Sequence, residues 1–275
     1  MKLYGYVRGD GRVGARNHIL VLPSVVCADL AAQEIAKDGG VAIIHQHGCA
    51  QVGDDVTNTE QIFTKLASNP NVGAVIVVSL GCETIGGKKL SHLIADVGQR
   101  VEFVGIQALG GTYNTIRYGS QILEQLKKEL DLEQRKEVSL SSFLLGIDGE
   151  WSHVVEEVAK YAEEVGIKII KGQEKIGPLR HVEVAAMGAQ VILSFATRRN
   201  MPTGFAVCPV FSVTDDQKLY DALEYDFDML IDVENIEASA TTVVERLIDT
   251  FNGFLTAAEK RQSFDFALPR LARSM

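Results

Sequence analysis

The sequence is short of cysteine, of basic charge and of long apolar runs, and each shortage excludes something. Four cysteines in 275 residues are too few for a disulfide scaffold, so cytosolic thiols are expected, free or metal-bound. Lys and Arg number 27 against 36 Asp and Glu, a formal net charge of −9. That balance excludes non-specific nucleic-acid binding, which needs basic side chains to displace phosphate counterions. The longest apolar runs, such as Ile19–Val26 and Val75–Leu80, fall far short of the roughly 20 residues that cross a bilayer. Residues 1–16 are rich in glycine and charge, which does not fit a signal peptide. The expectation is a cytoplasmic protein without nucleic-acid or membrane partners. There is no internal repeat or low-complexity tract. What is present, 46% hydrophobic and 23% charged residues, suits a globular enzyme with one large domain or two smaller halves.

Short β-branched runs alternate with longer amphipathic segments, the pattern of parallel sheets flanked by helices. The first half, residues 1–135, reads as strands at Ile19–Val26, Val41–His45, Ala74–Leu80 and Glu102–Gln107. Helices fall between them at about Leu30–Lys37, Thr59–Ala67, Lys88–Val97 and Thr112–Glu129. Leu126–Val138, dense in Lys and Glu, reads as a helix end plus linker. The second half, residues 136–275, reads as strands at Leu140–Ile147, Lys168–Ile170, Gln190–Ala196, Ala206–Val213 and Met229–Ile231. Its helices are expected at Ser152–Val165, Leu179–Met187, Asp216–Glu224 and from about Ser239. The fold class is therefore α/β in two halves. Asp226, Asp228, Asp232 and Glu234 read as a solvated charge run, and the last dozen residues as a tail or partner-binding arm.

The unusual residues gather where strands end. The first strand runs into Cys27, the second into His45-Gln46-His47-Gly48-Cys49, the third into Gly81-Cys82-Glu83, and the fourth into Gln107 and Gly110-Gly111-Thr112. Ligands of open parallel sheets bind outside the carboxyl ends of the strands, where helix N-termini also point. Imidazole, thiolate and carboxylate at His45, Cys49, Cys82 and Glu83 form a ligand set for iron, zinc or manganese. Free cysteines are usually small packing residues; Cys208, inside an apolar strand, is read that way. Taken alone Cys27 reads as packing too, whereas Cys49 and Cys82, each beside a glycine at a strand end, read as functional. His47 is read as a histidine behind the ligands or at the surface.

Two further segments are anomalous. In the opening, Gly5 to Asn17, glycines let the backbone approach a ligand, and Arg12 and Arg16 suit bidentate carboxylate binding. The alternative is a loop pinned to the body by its arginines. After a second-half strand comes Thr197-Arg198-Arg199-Asn200-Met201-Pro202-Thr203-Gly204, where Thr197 and an arginine suit an anion. Asp148 follows another strand, where a plain turn also explains it.

In order, these segments resemble the altronate/galactarate dehydratase family, which includes sulfolactate sulfo-lyase. The opening resembles its Gly-Tyr-x-Arg-x-Asp-Gly-Arg-x-Gly-x-Arg-Asn signature, and His45 to Gln51 its His-x-x-Gly-Cys segment. Asn69-Pro70-Asn71 leading to Leu80-Gly81-Cys82-Glu83 is similar to its Pro-Asn…Gly-Leu-Gly-Cys-Glu stretch. Gly188-Ala189-Gln190, Thr197-Arg198-Arg199, Pro202 and Gly204 resemble a later run. Two segments depart: Leu145-Gly146-Ile147-Asp148-Gly149 stands where the family has Cys-Gly-Gly-Ser-Asp, and Asp228–Ile236 has lost two acidic positions of its counterpart.

The resemblance implies metal-assisted removal of water from a sugar acid. Such a reaction needs a base for the C–H and an acid or metal for the departing hydroxide. The metal is expected on some of His45, Cys49, Cys82, Glu83 and Cys27. The substrate is expected against Arg12, Arg16, Asn17, Gln107, Thr112, Thr197 and Arg198. His47, Glu83 and Asp148 are candidates for the base. In a variant, Cys27, Cys49 and Cys82 carry an iron–sulfur cluster with one open iron. The rivals are a sulfo-lyase and a non-catalytic hydroxy-acid-binding or partner subunit. A separate small subunit and a homo-oligomer are expected as partners.

Overall fold

A computed structural model of the chain describes residues 1–150, 152–173, 176–261 and 264–265. The chain forms two αβ units: Asn17–Gln134, and Met1–Arg16 together with Arg135–Asp265. The opening residues thus belong with the second half, not with the first as the sequence suggests.

Strands β1 (Leu3–Val7) and β2 (Val13–Gly14) open the chain. The Asn17–Gln134 unit then runs β3 (His18–Pro23), α1 (Asp29–Ala36), β4 (Val41–Ala42), α2 (Asp54–Ala67), β5 (Val72–Ser79), α3 (Gly87–Asp96), β6 (Val101–Gly105) and α4 (Thr112–Leu130). Its sheet has the order β4-β3-β5-β6, with every pair parallel. β5 lies inside the sheet, and of its residues only Gly73 is not fully buried. That explains a continuous apolar run in place of alternation. α4 buries Thr115, Gly119, Leu123, Leu126 and Leu130, one stripe at helical spacing. At Gly119 the side chain of Ile35 fills the space a Cβ would need.

The second unit continues with β7 (Lys136–Val138), β8 (Leu144–Asp148), α5 (His153–Glu164), β9 (Lys168–Lys171), α6 (Pro178–Ala186) and β10 (Val191–Phe195). β11 (Gly204–Phe205), β12 (Val210–Thr214), α7 (Gln217–Ala222), β13 (Met229–Leu230), α8 (Ile236–Phe251), α9 (Ala257–Arg261) and β14 (Phe264–Asp265) complete it. Its main sheet, β13-β12-β10-β8-β9, is also wholly parallel. In chain order both main sheets begin 2-1-3-4, the doubly wound arrangement in which the chain reverses direction between strands 1 and 3. That switch lies between β3 and β5 in one unit and between β8 and β10 in the other.

Several elements differ from the sequence reading, each for a local reason. The charged stretch before Val138 is not a linker throughout: Lys136–Val138 pairs antiparallel with Leu3–Gly5. Arg135 secures that seam, donating to the carbonyls of Tyr4, Phe251 and Ala15 and lying over the Tyr6 ring. The second strand stops at Ala42, because beyond it the His45 ring, not the backbone, bonds Pro23 O. The run Ala206–Val213 is broken by Pro209, which has no N–H for a ladder. Leu140–Ser142 is a 3-10 turn ahead of β8. α2 starts five residues earlier than expected, where Asp54 and Asp55 favour the helix N-terminus. The tail lies outside the described residues apart from 264–265.

Asp228 overturns the reading of its charge run as solvated. Its carboxylate accepts from Ser212 N and Ala257 N at 2.8 and 2.7 Å, and burial pushes its pKa up to about 6. A carboxyl whose folded pKa exceeds the unfolded one stabilises the fold below the unfolded pKa and loses that contribution as pH rises through the folded value. Unfolding free energy should therefore fall by roughly 2 kcal/mol between about pH 4 and 6. Asp228→Asn is expected to flatten that segment of the stability–pH curve in urea melts. An unchanged slope would show that Asp228 is not its source.

Candidate active site

The carboxyl edge of the first sheet is built from four turns. The turn after β3 carries Ser24 and Cys27, the latter in a 3-10 turn at Val26–Ala28 leading into α1. The long turn after β4 carries His45, His47 and Cys49. The turn after β5 carries Cys82 and Glu83, and that after β6 carries Gln107 ahead of Thr112, the first residue of α4. Cys27, Cys49 and Cys82 are all exposed, free thiols. They share one patch. Desolvation, the charges of Cys82 and Cys27, hydrogen-bond contact with the Cys82 thiol and the Glu83 charge together hold the Cys49 thiol above its ordinary range.

The turns are tied to one another by side chains. Glu83 Oε2 accepts from Gly81 N at 2.5 Å, and Oε1 accepts from Ser24 Oγ at 3.0 Å and Gly87 N at 3.2 Å. Desolvation works to raise the Glu83 pKa, but these hydrogen bonds and its own amide outweigh it, so the carboxyl sits below its usual range. Glu83 thus joins the end of β3, the end of β5 and the start of α3. Thr84 Oγ1 donates to Cys49 O at 2.7 Å, and Val26 N donates to His47 O at 2.9 Å. Gly81 has φ +121°, and a Cβ there would come within 2.5 Å of Gln107 Oε1. Only glycine lets Gln107 lie over the turn that presents Cys82.

This geometry sorts the sequence candidates. His45 is buried beside Phe63, with Nε2 2.8 Å from Pro23 O and Nδ1 accepting from His47 N at 3.2 Å. Burial pushes its pKa down to about 4. A neutral ring with both nitrogens engaged has no lone pair for a metal, so His45 is a strut and not a ligand. Glu83 is likewise spent on the turns, and its lowered pKa unfits it as a base. Among the described residues no three His, Cys, Asp or Glu side chains are arranged to hold a single ion. Cys27, Cys49, Cys82, Gln107 and Thr112 come to one edge. His47 lies beside them: burial lowers its pKa, Nδ1 is 3.1 Å from Gln51 Nε2, and Nε2 has no partner among the described residues.

Asn17 is not at that edge. It precedes β3, at the amino end, and donates to Leu130 O and Glu133. Arg12 and Arg16 are in the other unit. Arg12 pairs with Asp10 at 2.6 Å. All five N–H donors of Arg16 are used, on both oxygens of Glu259 and on the carbonyls of Ala15, Thr250 and Phe254. It is a pin for the opening loop, not a free carboxylate clamp.

The second unit has its own cavity at its switch point, about 380 Å³, lined by Glu150, Thr197, Arg198, Arg199, Asp215 and Asp216 among others. Arg198 Nε reaches Asp216 at 3.0 Å. Asp148 does not open into this cavity. It is fully buried and accepts from Gly177 N, His181 Nε2, Ser194 Oγ and Asn200 Nδ2, a hub that suits neither a base nor a plain turn. Sequence reasoning missed His181, Ser194 and Asn200, because the three lie 33 to 52 residues from Asp148. It also missed Asp29, which accepts the His45 backbone N–H. Burial raises the Asp29 pKa to about 7. No helix among the described residues is long and apolar enough to cross a membrane.

Two doubly wound αβ units, one carrying three thiols at the carboxyl edge of its sheet, define the class of protein. Two family models match: D-galactarate dehydratase/altronate hydrolase, second domain, over residues 5–131, and D-galactarate/altronate dehydratase, C-terminal, over residues 147–274. The chain belongs to this family. It is similar to the altronate dehydratases of Bacillus subtilis (strain 168), 28% identical, and Escherichia coli (strain K12), 31% identical. Each match runs over 156 residues, 52% of this chain and 31% of the relative. It is also 34% identical over 139 residues to the (2R)-sulfolactate sulfo-lyase subunit beta of Chromohalobacter salexigens, 50% of this chain and 35% of that one. These matches span about a third of the curated relatives' length.

Proposed function

We propose that the chain is the catalytic part of a hydro-lyase that removes water from a sugar acid or related hydroxy-carboxylate, with an iron–sulfur cluster on Cys27, Cys49 and Cys82. The single observation that carries this reading is the patch of three exposed thiols from three successive turns of one sheet edge. Thiolates that bind different irons of a cluster lie farther apart than ligands of one ion. A three-thiol patch, with no single-ion site among the described residues, suits the cluster better than the His/Cys/Glu set. When bound, such a cluster supplies a Lewis-acidic iron with an open position.

The chain's own residues do the rest. Glu83 and Thr84 fix the turns that carry Cys82 and Cys49, so the thiols are preorganised. The α4 N-terminus and the Thr112 hydroxyl favour a carboxylate at the same edge. His47 is the remaining candidate to carry a proton, at Nε2. A second reading, a sulfo-lyase with a separate small subunit, is favoured by the likeness to a subunit named beta.

The test is anaerobic reconstitution with iron and sulfide, followed by a panel of aldonic, aldaric and sulfonated hydroxy acids. The expected result is about one cluster per chain, broad visible absorbance and release of a 2-keto-3-deoxy acid. Sulfite release would assign the sulfo-lyase instead. Reduced thiols that take up no iron would overturn the cluster, and a loaded protein that turns over no acid would make this a binding subunit.

A further inference from the structure

The hub around Asp148 lies outside the thiol edge and has no part in the chemistry proposed there. Its carboxylate is at the carboxyl end of β8, one residue from Gly149 and two from Glu150, which lines the switch-point cavity. Oδ1 accepts from Gly177 N at 2.7 Å. Oδ2 accepts from His181 Nε2 at 2.9 Å, Ser194 Oγ at 2.9 Å and Asn200 Nδ2 at 3.2 Å. The four donors come from the N-cap of α6, its body, β10 and the turn after β10.

Only one of those donors, Asn200, belongs to the turn Thr197–Asn200, whose Thr197, Arg198 and Arg199 line the cavity. That turn is closed on itself: Thr197 N donates to Asn200 O at 2.8 Å, Asn200 N to Thr197 O at 3.1 Å, and Thr197 Oγ1 accepts from Arg199 N and Asn200 N. Thr197, Arg198 and Arg199 are exposed on it, whereas Asn200 is buried. The Asn200 amide is further enclosed by Gly177 (φ +93°), where a Cβ would sit 2.8 Å from Asn200 Oδ1. The turn is thus tied to the start of α7 by the exposed Arg198–Asp216 pair and to the sheet by the buried Asn200 side chain, which grips the Asp148 carboxylate.

We propose that Asn200, held by Asp148, is a positioning residue: it latches the Thr197–Asn200 turn so that Thr197 and Arg198 meet a polyhydroxy-carboxylate in the switch-point cavity. The cavity has the mixed lining such a ligand needs, arginines for its carboxylate and Glu150 and Asp215 as acceptors for its hydroxyls, while Asp216 caps α7 and holds Arg198 Nε. The ligand class rests on the hydroxy-acid reading above; the latch does not.

Ser194→Ala and Asn200→Ala each remove one hydrogen bond from the same Asp148 oxygen, but only Asn200→Ala releases the turn. Hydrogen exchange of the 197–200 amides should quicken at least about tenfold in Asn200→Ala and stay as in the parent in Ser194→Ala. Asn200→Ser, whose shorter side chain gives up the bond to Asp148 Oδ2 while staying polar, should quicken the same amides if Asn200→Ala does not fold. Equal exchange in all the proteins, or equal acceleration in both alanine variants, would overturn the latch. Calorimetry with galactarate as probe then reads the ligand: binding weakened about tenfold in Asn200→Ala and unchanged in Ser194→Ala is the expected result. Faster exchange with no galactarate binding even in the parent would keep the latch and overturn the ligand class.

Discussion

Cys82→Ser is expected to abolish the visible absorbance of the reconstituted protein and to lower turnover of any active hydroxy acid by at least about a hundredfold. Even losing a group behind the ligands costs 10–100-fold in such sites; losing a ligand should cost more. Cys82 is exposed, so the change removes no packed volume and thermal stability of the metal-free protein should stay within about 0.5 kcal/mol of the parent. Cys27→Ser and Cys49→Ser should behave alike if the three thiols hold one cluster as proposed. Cys208→Ser is the control. Cys208 is buried, with Sγ 3.1 Å from Ala189 O, and its replacement should leave iron content unchanged. Iron content measured on all four proteins decides the assignment. Retention of full iron in Cys82→Ser would remove Cys82 from the ligand set.

Arg16→Met is expected to destabilise the fold by about 3–5 kcal/mol, the range for breaking a buried ion pair by removing one of its two charges. Arg16 and Glu259 are both nearly buried, 2.8 Å apart, and the guanidinium also satisfies three backbone carbonyls. The loss should appear as a melting temperature lower by roughly 10 °C. Arg16→Lys should fall between parent and Arg16→Met, since an ammonium keeps the charge but cannot span Glu259 and three carbonyls at once. Affinity for a hydroxy acid, measured well below both transitions, should not move. A variant that melts like the parent yet binds ligand ten- to a hundredfold more weakly would restore the carboxylate-clamp reading of this arginine.

The opening segment shows how a motif can be legible and its role not. The glycines and arginines between Gly5 and Asn17 stand out in the sequence, and they invite a ligand. In the fold, β1 pairs with Lys136–Val138, Arg8 and Arg16 are taken up by backbone carbonyls and by Glu259, 243 residues from Arg16, and Arg12 pairs with Asp10. A guanidinium binds any well-placed carboxylate. Whether that carboxylate is a substrate or a residue far along the chain depends on which one the fold delivers.

The sequence by itself determined the alternation of strands and helices, because burial on both faces of a parallel strand leaves a continuous apolar run such as β5. It also determined that Cys27, Cys49, Cys82, Gln107 and Thr112 follow strands, since glycine-rich and polar turns punctuate those runs. Parallel strands put such turns on one edge, so the patch of thiols was foreseeable once the strands were. Only the tertiary structure decided what each polar group does there. His45 and Glu83 have the chemistry of ligands, yet Pro23 O, His47 N, Gly81 N, Ser24 Oγ and Gly87 N take up their bonding capacity. Asp148 looked like a turn residue until four donors from distant segments closed on it. Local pattern fixes where the chain is buried, because hydrophobic burial is additive along a strand or helix face. Hydrogen bonds are pairwise and directional, so the partner of a polar side chain is settled only when segments far apart in sequence meet.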